Sequence, residues 1–289
     1  MILSASGRTR AWSIAKAVAV AAAALMLAGF GGLEQSLAPK AKLWAKWQAH
    51  DPASTVTVDH AAWTAWLQRY VSTDGAGVNR VAYGAVAAED RAALAAYIAS
   101  LTTTPVSALN RAEQMALWIN LYNALTVQVV LDHYPVASIR DIDISPGLFA
   151  DGPWDRKLAT VEGERLSLND IEHRILRPVY GDNRIHYAVN CAAVGCPNLA
   201  RTAYTAADLT TMLDAAARGY VNDPRGVRVD AGRVTVSKLF SWYAVDFGGS
   251  DAAVLDELAA LADPPLQAAL ATRQGPVDTA YDWALNDAR

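Results

Sequence analysis

The chain has 289 residues, 53% hydrophobic and 19% charged, with a formal net charge of −4. That composition excludes a disordered polar chain and supplies enough apolar material for one large domain or two modest ones. A mildly acidic balance without a basic block excludes nucleic acid as the main partner, because phosphate contacts need clustered Lys and Arg.

The N-terminus has its own character. Arg8, Arg10 and Lys16 precede an uncharged run from Ala17 to Leu33, rich in Ala and Leu. Positive charge followed by a short apolar stretch is the layout of an export signal, and the run is short for a comfortable membrane span. Residues 1–40 therefore read as a signal peptide or membrane anchor, which implies a periplasmic or exported protein with possible N-terminal membrane association. Residues 41–289 read as a single domain.

Within that domain, Ala41 to Ala53 is an amphipathic lead-in ending at Pro52. Val58 to Val71 has a helical period, with Asp59 as N-cap and Trp63, Trp66, Leu67 and Tyr70 on one face. A loop from Ser72 to Asn79 separates it from a second helix, Glu89 to Leu101. The strongest element runs from Ser107 to Tyr134 and is stopped by Pro135. Its Met115 to Val130 portion is apolar on nearly every side, the mark of a buried central helix. Glu113, Ala116, Asn120, Asn123 and Val127 share one face of it by steps of three and four. A buried amide has to find partners or cost about 1–3 kcal/mol. Asn120 and Asn123 are therefore either ties to loop backbone or the lining of a polar substrate-binding site.

Ile139 to Ala159 is loop-like. Leu166 to Leu176 follows as a short helix, with Ser167 as N-cap, Asp170 completing a capping box and Pro178 as the stop. Ile185 to Asn190 alternates as a strand. Thr205 to Val221 is a helix, Gly226 to Ser237 a hairpin turning at Asp230-Ala231-Gly232, and Lys238 to Phe247 a short aromatic helix or turn. The expected class is α+β: predominantly helical, with a buried central helix and a small antiparallel sheet.

Both cysteines of the chain, Cys191 and Cys196, lie in the stretch IHYAVNCAAVGCP, five residues after His186 and beyond. Three chemistries compete for them. A disulfide suits an exported chain with an even cysteine count. Zinc has four ligands of the types it prefers available in Cys191, Cys196, His186 and His173, but there is no HExxH and no repeated CxxC. A nucleophilic Cys191 needs an imidazole or cationic surroundings. As strand residues, His186 and Cys191 point to opposite faces. The base is then either His186, brought round by a turn at Asn190, or His173 from the preceding helix, with Glu172 or Glu113 as its orienter.

Five separated segments resemble the DUF547 family, whose function is unknown: Trp118 to Leu125, Leu166 to Arg177, Ile185 to Pro197, Lys238 to Phe247 and Tyr281 to Asn286. The resemblance implies an α+β domain with the Trp118 to Leu125 helix buried. A Cys after a strand, with His and acidic partners, also looks similar to papain-like thiol enzymes.

The leading expectation is an exported thiol hydrolase or transferase acting on an amide, peptide or thioester bond of a small-molecule or peptide substrate. Cys191 would attack, His173 or His186 take its proton, Glu172 orient the imidazole, and Asn120 or Asn123 bind substrate, with no cofactor or metal. The competing expectation is a non-enzymatic ligand- or protein-binding domain with a Cys191–Cys196 disulfide. Export predicts that a chain lacking residues 1–40 stays in the cytoplasm; its recovery from the periplasmic fraction would refute the signal.

Overall fold

A computed structural model describes residues 38–146 and 151–288 of the chain. The predicted signal or anchor, apart from its last three residues, lies outside the described residues. No helix among the described residues is long and apolar enough to cross a membrane.

The fold is α+β, with helices arranged around one buried rod and three small sheets among the described residues. Helix α1 (Ala61–Tyr70) packs on α2 (Ala88–Thr103), which packs on α3 (Arg111–His133), and hairpin β1–β2 (Val71–Thr73, Asn79–Val81) follows α1. Asn110 caps α3 by accepting the N–H groups of Ala112 and Glu113 at 3.1 and 3.0 Å. The helix is buried on almost every side, as its unbroken apolar composition requires.

Asn120 and Asn123 are nevertheless in that dry interior, 0% and 2% exposed. Each forms a two-way amide clamp on loop backbone. Asn120 Nδ2 donates to Tyr204 O at 2.7 Å while its Oδ1 accepts Tyr204 N–H at 3.0 Å. Asn123 Nδ2 donates to Ala188 O at 2.9 Å and its Oδ1 accepts Asn190 N–H at 2.8 Å. The sequence reading left a structural tie and a polar lining open; these bonds make both side chains ties.

A second hairpin, β3–β4 (Ala159–Val161, Glu164–Leu166), leads into α4 (Asp170–Tyr180), which is wound as a π-helix. Ser167 and Asp170 form the expected capping box: Ser167 Oγ accepts Asp170 N–H at 3.2 Å and Asp170 Oδ2 accepts Ser167 N–H at 2.9 Å. Pro178 does not stop the helix, contrary to expectation. It continues to Tyr180 and ends at left-handed Gly181 (φ 60°). Proline inside a helix leaves upstream carbonyls without an N–H partner, and the N-terminal segment fills that gap. Lys42 N–H donates to His173 O at 2.9 Å and Trp44 N–H to Arg174 O at 3.0 Å.

The predicted strand from Ile185 to Asn190 is also corrected. Ile185–Ala188 is a one-turn helix, α5, and the chain extends only at Val189. Ile185, His186, Tyr187 and Ala188 are all at most 1% exposed. Burial on every side gives no facial alternation for a strand to exploit. The segment instead closes a turn through the Asp182, Asn183 and Arg184 carbonyls, which accept from Ile185, His186 and Tyr187.

The remaining elements are α6 (Leu209–Val221), β5 (Val227–Asp230), β6 (Arg233–Ser237), α7 (Lys238–Trp242), α8 (Asp251–Leu261), α9 (Pro264–Ala271) and β7 (Asp278–Ala280). The expected hairpin forms, with Ala231 and Gly232 both at positive φ in its two-residue turn. Strand β7 joins β6 in parallel, so this sheet is mixed. Two hydrophobic cores result, one around α3 and a smaller one under the β5–β6–β7 sheet. Helix α5 sits at their seam, giving Ile185 and Ala188 to the first and Tyr187 to the second.

Asn123→Ala would leave Ala188 O and Asn190 N–H unpaired in the interior. At about 1–3 kcal/mol per orphaned group, a loss of about 2–4 kcal/mol is expected from the urea midpoint. A loss under about 0.5 kcal/mol would mean that the clamp does not hold the α5 loop.

Candidate functional site

A cleft of about 710 Å³ opens at the seam between the two cores. Its floor comes from four elements. Helix α4 supplies Glu172 and His173, α5 supplies His186, α3 supplies Tyr122, and the turn after α7 supplies Tyr243. The segment holding Cys191 and Cys196 lines it too, together with an aromatic wall built from Trp154, Trp242, Tyr281 and Trp283. These rings contact one another, with centroids 4.7 Å apart for Tyr281–Trp283, 4.9 Å for Trp242–Tyr281 and 5.9 Å for Trp154–Trp283. At the rim, Arg140 lies over Trp283 and bonds Asp151 Oδ2 through Nε at 2.7 Å. Ala38 and Pro39 border the cleft where the described chain begins.

Beneath the floor lies a charged network. Asp246 Oδ2 accepts from His186 Nε2 at 2.7 Å and from Arg177 Nε at 2.5 Å. Arg177 also donates through Nη1 to Pro39 O at 2.7 Å and to His173 Nδ1 at 3.2 Å, and its guanidinium packs over the Tyr243 ring. The His186 ring stacks on Tyr243 with centroids 4.3 Å apart. Burial alone would push the Asp246 carboxyl up, but the bonds from His186 and Arg177 outweigh it and hold the pKa at about 2. Burial pushes the His173 imidazole down to about 4, against the opposing charge of Glu172.

Glu172 stands at the centre of the floor. Its Oε1 is 3.8 Å from His173 Nδ1 and 3.7 Å from His186 Nδ1, too long for hydrogen bonds. His186 Nδ1 is buried without a hydrogen-bond partner among the described residues. No lysine or arginine pairs with Glu172 among the described residues. The phenols of Tyr122 and Tyr243 have pKa values raised by burial first and by the nearby Glu172 charge second.

Cys191 and Cys196 are joined as a disulfide with Cα atoms 6.2 Å apart, inside the span a bridge can close. The loop between them is fastened independently of the sulfurs. Asn190 Nδ2 donates to Pro197 O at 2.7 Å, and Asn190 Oδ1 accepts Ala192 N–H at 2.8 Å. Val194 N–H and Gly195 N–H donate to Ala284 O and Asp282 O, each at 2.8 Å. That close approach requires glycine at 195, since a Cβ there would lie 2.7 Å from Asp282 N.

The structure thus gathers Glu172, His173, His186 and Cys191 around one cleft and leaves Asn120 and Asn123 beneath it as ties. Glu113, the other candidate orienter, accepts Val58 N–H at 3.1 Å, at the start of α3. The four zinc-type residues form no ligand set. Both sulfurs are in the bridge, His186 Nε2 faces Asp246 and His173 Nδ1 faces Arg177; no metal-holding group of His, Cys, Asp and Glu occurs among the described residues. Sequence reasoning missed Asp246, Arg177, Tyr243 and Tyr281. All four lie in segments quoted for the family resemblance, which was the available signal.

Residues 106–221 match the model of DUF547, a protein family of unknown function. This segment is a DUF547 domain. It contains α3, α4, α5 and both cysteines, whereas Asp246, Tyr243 and the Trp242–Tyr281–Trp283 wall come from the chain after it. No curated protein and no solved structure matches the chain.

The low His173 pKa sets a pH dependence. Between about 4 and the ordinary value of 6.5, the unfolded chain binds a proton that the folded chain refuses. The contribution is complete above about 6.5 and is lost as pH falls towards 4. For His173 this is worth about 3 kcal/mol. Urea melts between pH 7 and 4.5 should show that slope, flattened in His173→Gln; an unaltered slope in the variant would contradict the assignment.

Proposed function

We propose that the cleft is a binding site for a small-molecule or peptide ligand, with the Cys191–Cys196 bridge as part of its wall. The ligand class is a flat apolar body carrying an amino or other cationic group. One observation carries this reading: the Glu172 carboxylate sits buried at the base of an aromatic cleft among imidazoles and phenols, and no lysine or arginine forms an ion pair with it among the described residues. A carboxylate in such surroundings favours an incoming cation, and faces of Trp and Tyr add cation–π attraction. The volume falls within the range of small-molecule sites, and an apolar lining with a few convergent polar groups is their usual make-up. Export to the periplasm, proposed from residues 1–40, places the cleft in a compartment where the bridge persists.

A second reading keeps the thiol hydrolase or transferase. It is favoured by Cys191 sharing the cleft with His173, His186 and Glu172, and it requires the bridge to open first. In the bridged state Cys191 Sγ contacts Cys196 and the Tyr281 hydroxyl, so the binding reading describes this form of the protein better.

Calorimetry with benzylamine and phenylacetate separates the binding reading from its opposite. Benzylamine is expected to bind and phenylacetate not, with Glu172→Gln weakening the amine at least about tenfold, the worth of a hydrogen bond to a charged group. Equal binding of the acid, or an unchanged amine affinity in the variant, would remove the proposal.

A further inference from the structure

The bridge itself is built asymmetrically. Both cysteines border the cleft, but Cys191 is partly exposed whereas Cys196 is only 4% exposed. The backbone N–H of Cys191 donates to Cys196 Sγ at 3.0 Å. The Tyr281 hydroxyl lies 3.1 Å from Cys196 Sγ, to which it donates, and 3.1 Å from Cys191 Sγ. Cys191 is thus the more exposed half of the bridge, the phenol reaches both sulfurs, and the Cys191 N–H adds a second donor at Cys196 Sγ. Burial raises the Tyr281 pKa well above its ordinary value, so the phenol stays protonated and able to donate.

In thiol–disulfide exchange the rate depends on which sulfur is accessible and on how well the departing sulfur carries negative charge. Donors aimed at the site of developing charge act as an oxyanion hole does. We propose that the Cys191–Cys196 bridge is a thiol–disulfide exchange centre that reacts with a low-molecular-weight thiol entering the cleft, Cys191 being attacked and Cys196 leaving.

The steps balance. The thiolate of the incoming thiol forms an S–S bond to Cys191 Sγ as the Cys191–Cys196 bond breaks, and the electron pair leaves on Cys196 Sγ. A second thiolate then attacks the small-molecule sulfur of the mixed disulfide. It releases the oxidised small disulfide and a Cys191 thiolate. Two electrons pass from two thiols to the bridge, and their two protons end on the cysteines. The reverse sequence re-forms the bridge from the small disulfide. Because the loop is fastened through Asn190, Asp282 and Ala284, and Arg225 Nη1 bonds Val194 O at 2.9 Å and Cys196 O at 3.3 Å, the opened cysteines keep their places and can close again.

The experiment uses the folded, oxidised protein and reduced glutathione at pH 7.5. Samples are acid-quenched over time, and the mixed disulfide is located by peptide mass mapping. The expected result is glutathione on Cys191 well before any unfolding signal, and about tenfold slower bridge opening in Tyr281→Phe, which keeps the ring in the aromatic wall. A complementary pair guards against a folding defect in that variant. Cys196→Ser should take up oxidised glutathione on Cys191 at least about tenfold faster than Cys191→Ser takes it up on Cys196. A bridge that opens only with unfolding, glutathione appearing first on Cys196, or equal rates in the two serine variants would overturn the proposal.

Discussion

Arg177 is 8% exposed, and a guanidinium withdrawn from water that far has to be neutralised where it stands. Asp246 does this, and its position decides much else. Its carboxylate also takes the His186 proton donor, so one group joins α4, α5 and the turn after α7. Removing one partner of such a buried pair typically costs about 3–5 kcal/mol, because the other charge is left unpaired. Arg177 Nη1 reaches Pro39 O and His173 Nδ1. The N-terminal segment is thereby tied to the cleft edge by the same side chain that closes its floor.

That arrangement explains why α4 tolerates a proline. Pro178 removes a donor from the helix, and Lys42 and Trp44 supply donors from outside to the His173 and Arg174 carbonyls. Trp44 also lies under the Arg174 guanidinium, 4.0 Å from its ring centroid. The π-helical winding, the proline and the N-terminal segment at Lys42 and Trp44 are one solution to a single problem of unpaired backbone. π-Helical segments occur often at functional sites, and this one carries Glu172 and His173 into the cleft.

Much of the fold was legible because local signals and tertiary context agree. The apolar run through Met115 to Val130 could only be a buried helix, the Ser167–Asp170 box marks a helix start, and Ala231-Gly232 marks a hairpin. The errors fall where the interior overrides pattern. Ile185 to Ala188 alternates as a strand would, yet every residue is buried, so alternation carried no information about faces. Pro178 reads as a stop because the donors that compensate for it lie some 135 residues earlier in the chain, which local propensity cannot see. In the site, Glu172 and His173 were found through their adjacency. Asp246 was not nominated, because its bond to His186 crosses 60 residues and depends on Arg177 as well.

The roles of the two imidazoles also bear on the chemistry of the sulfur. An activated thiolate is usually stabilised by an imidazolium beside it. Here burial favours the neutral form of His173, and its Nδ1 accepts from Arg177. His186 gives Nε2 to Asp246, and its Nδ1 faces Glu172 Oε1 at 3.7 Å. Neither ring hydrogen-bonds Cys191 among the described residues. The groups that do meet the sulfurs are neutral donors, the Cys191 N–H and the Tyr281 hydroxyl, and one of them reaches only Cys196. In a buried site such dipoles need no reorganisation as charge develops. The consequence is a division of labour: the histidines, with Asp246 and Arg177, hold the floor on which Glu172 is presented, and the backbone and a single phenol govern the sulfur chemistry in the wall.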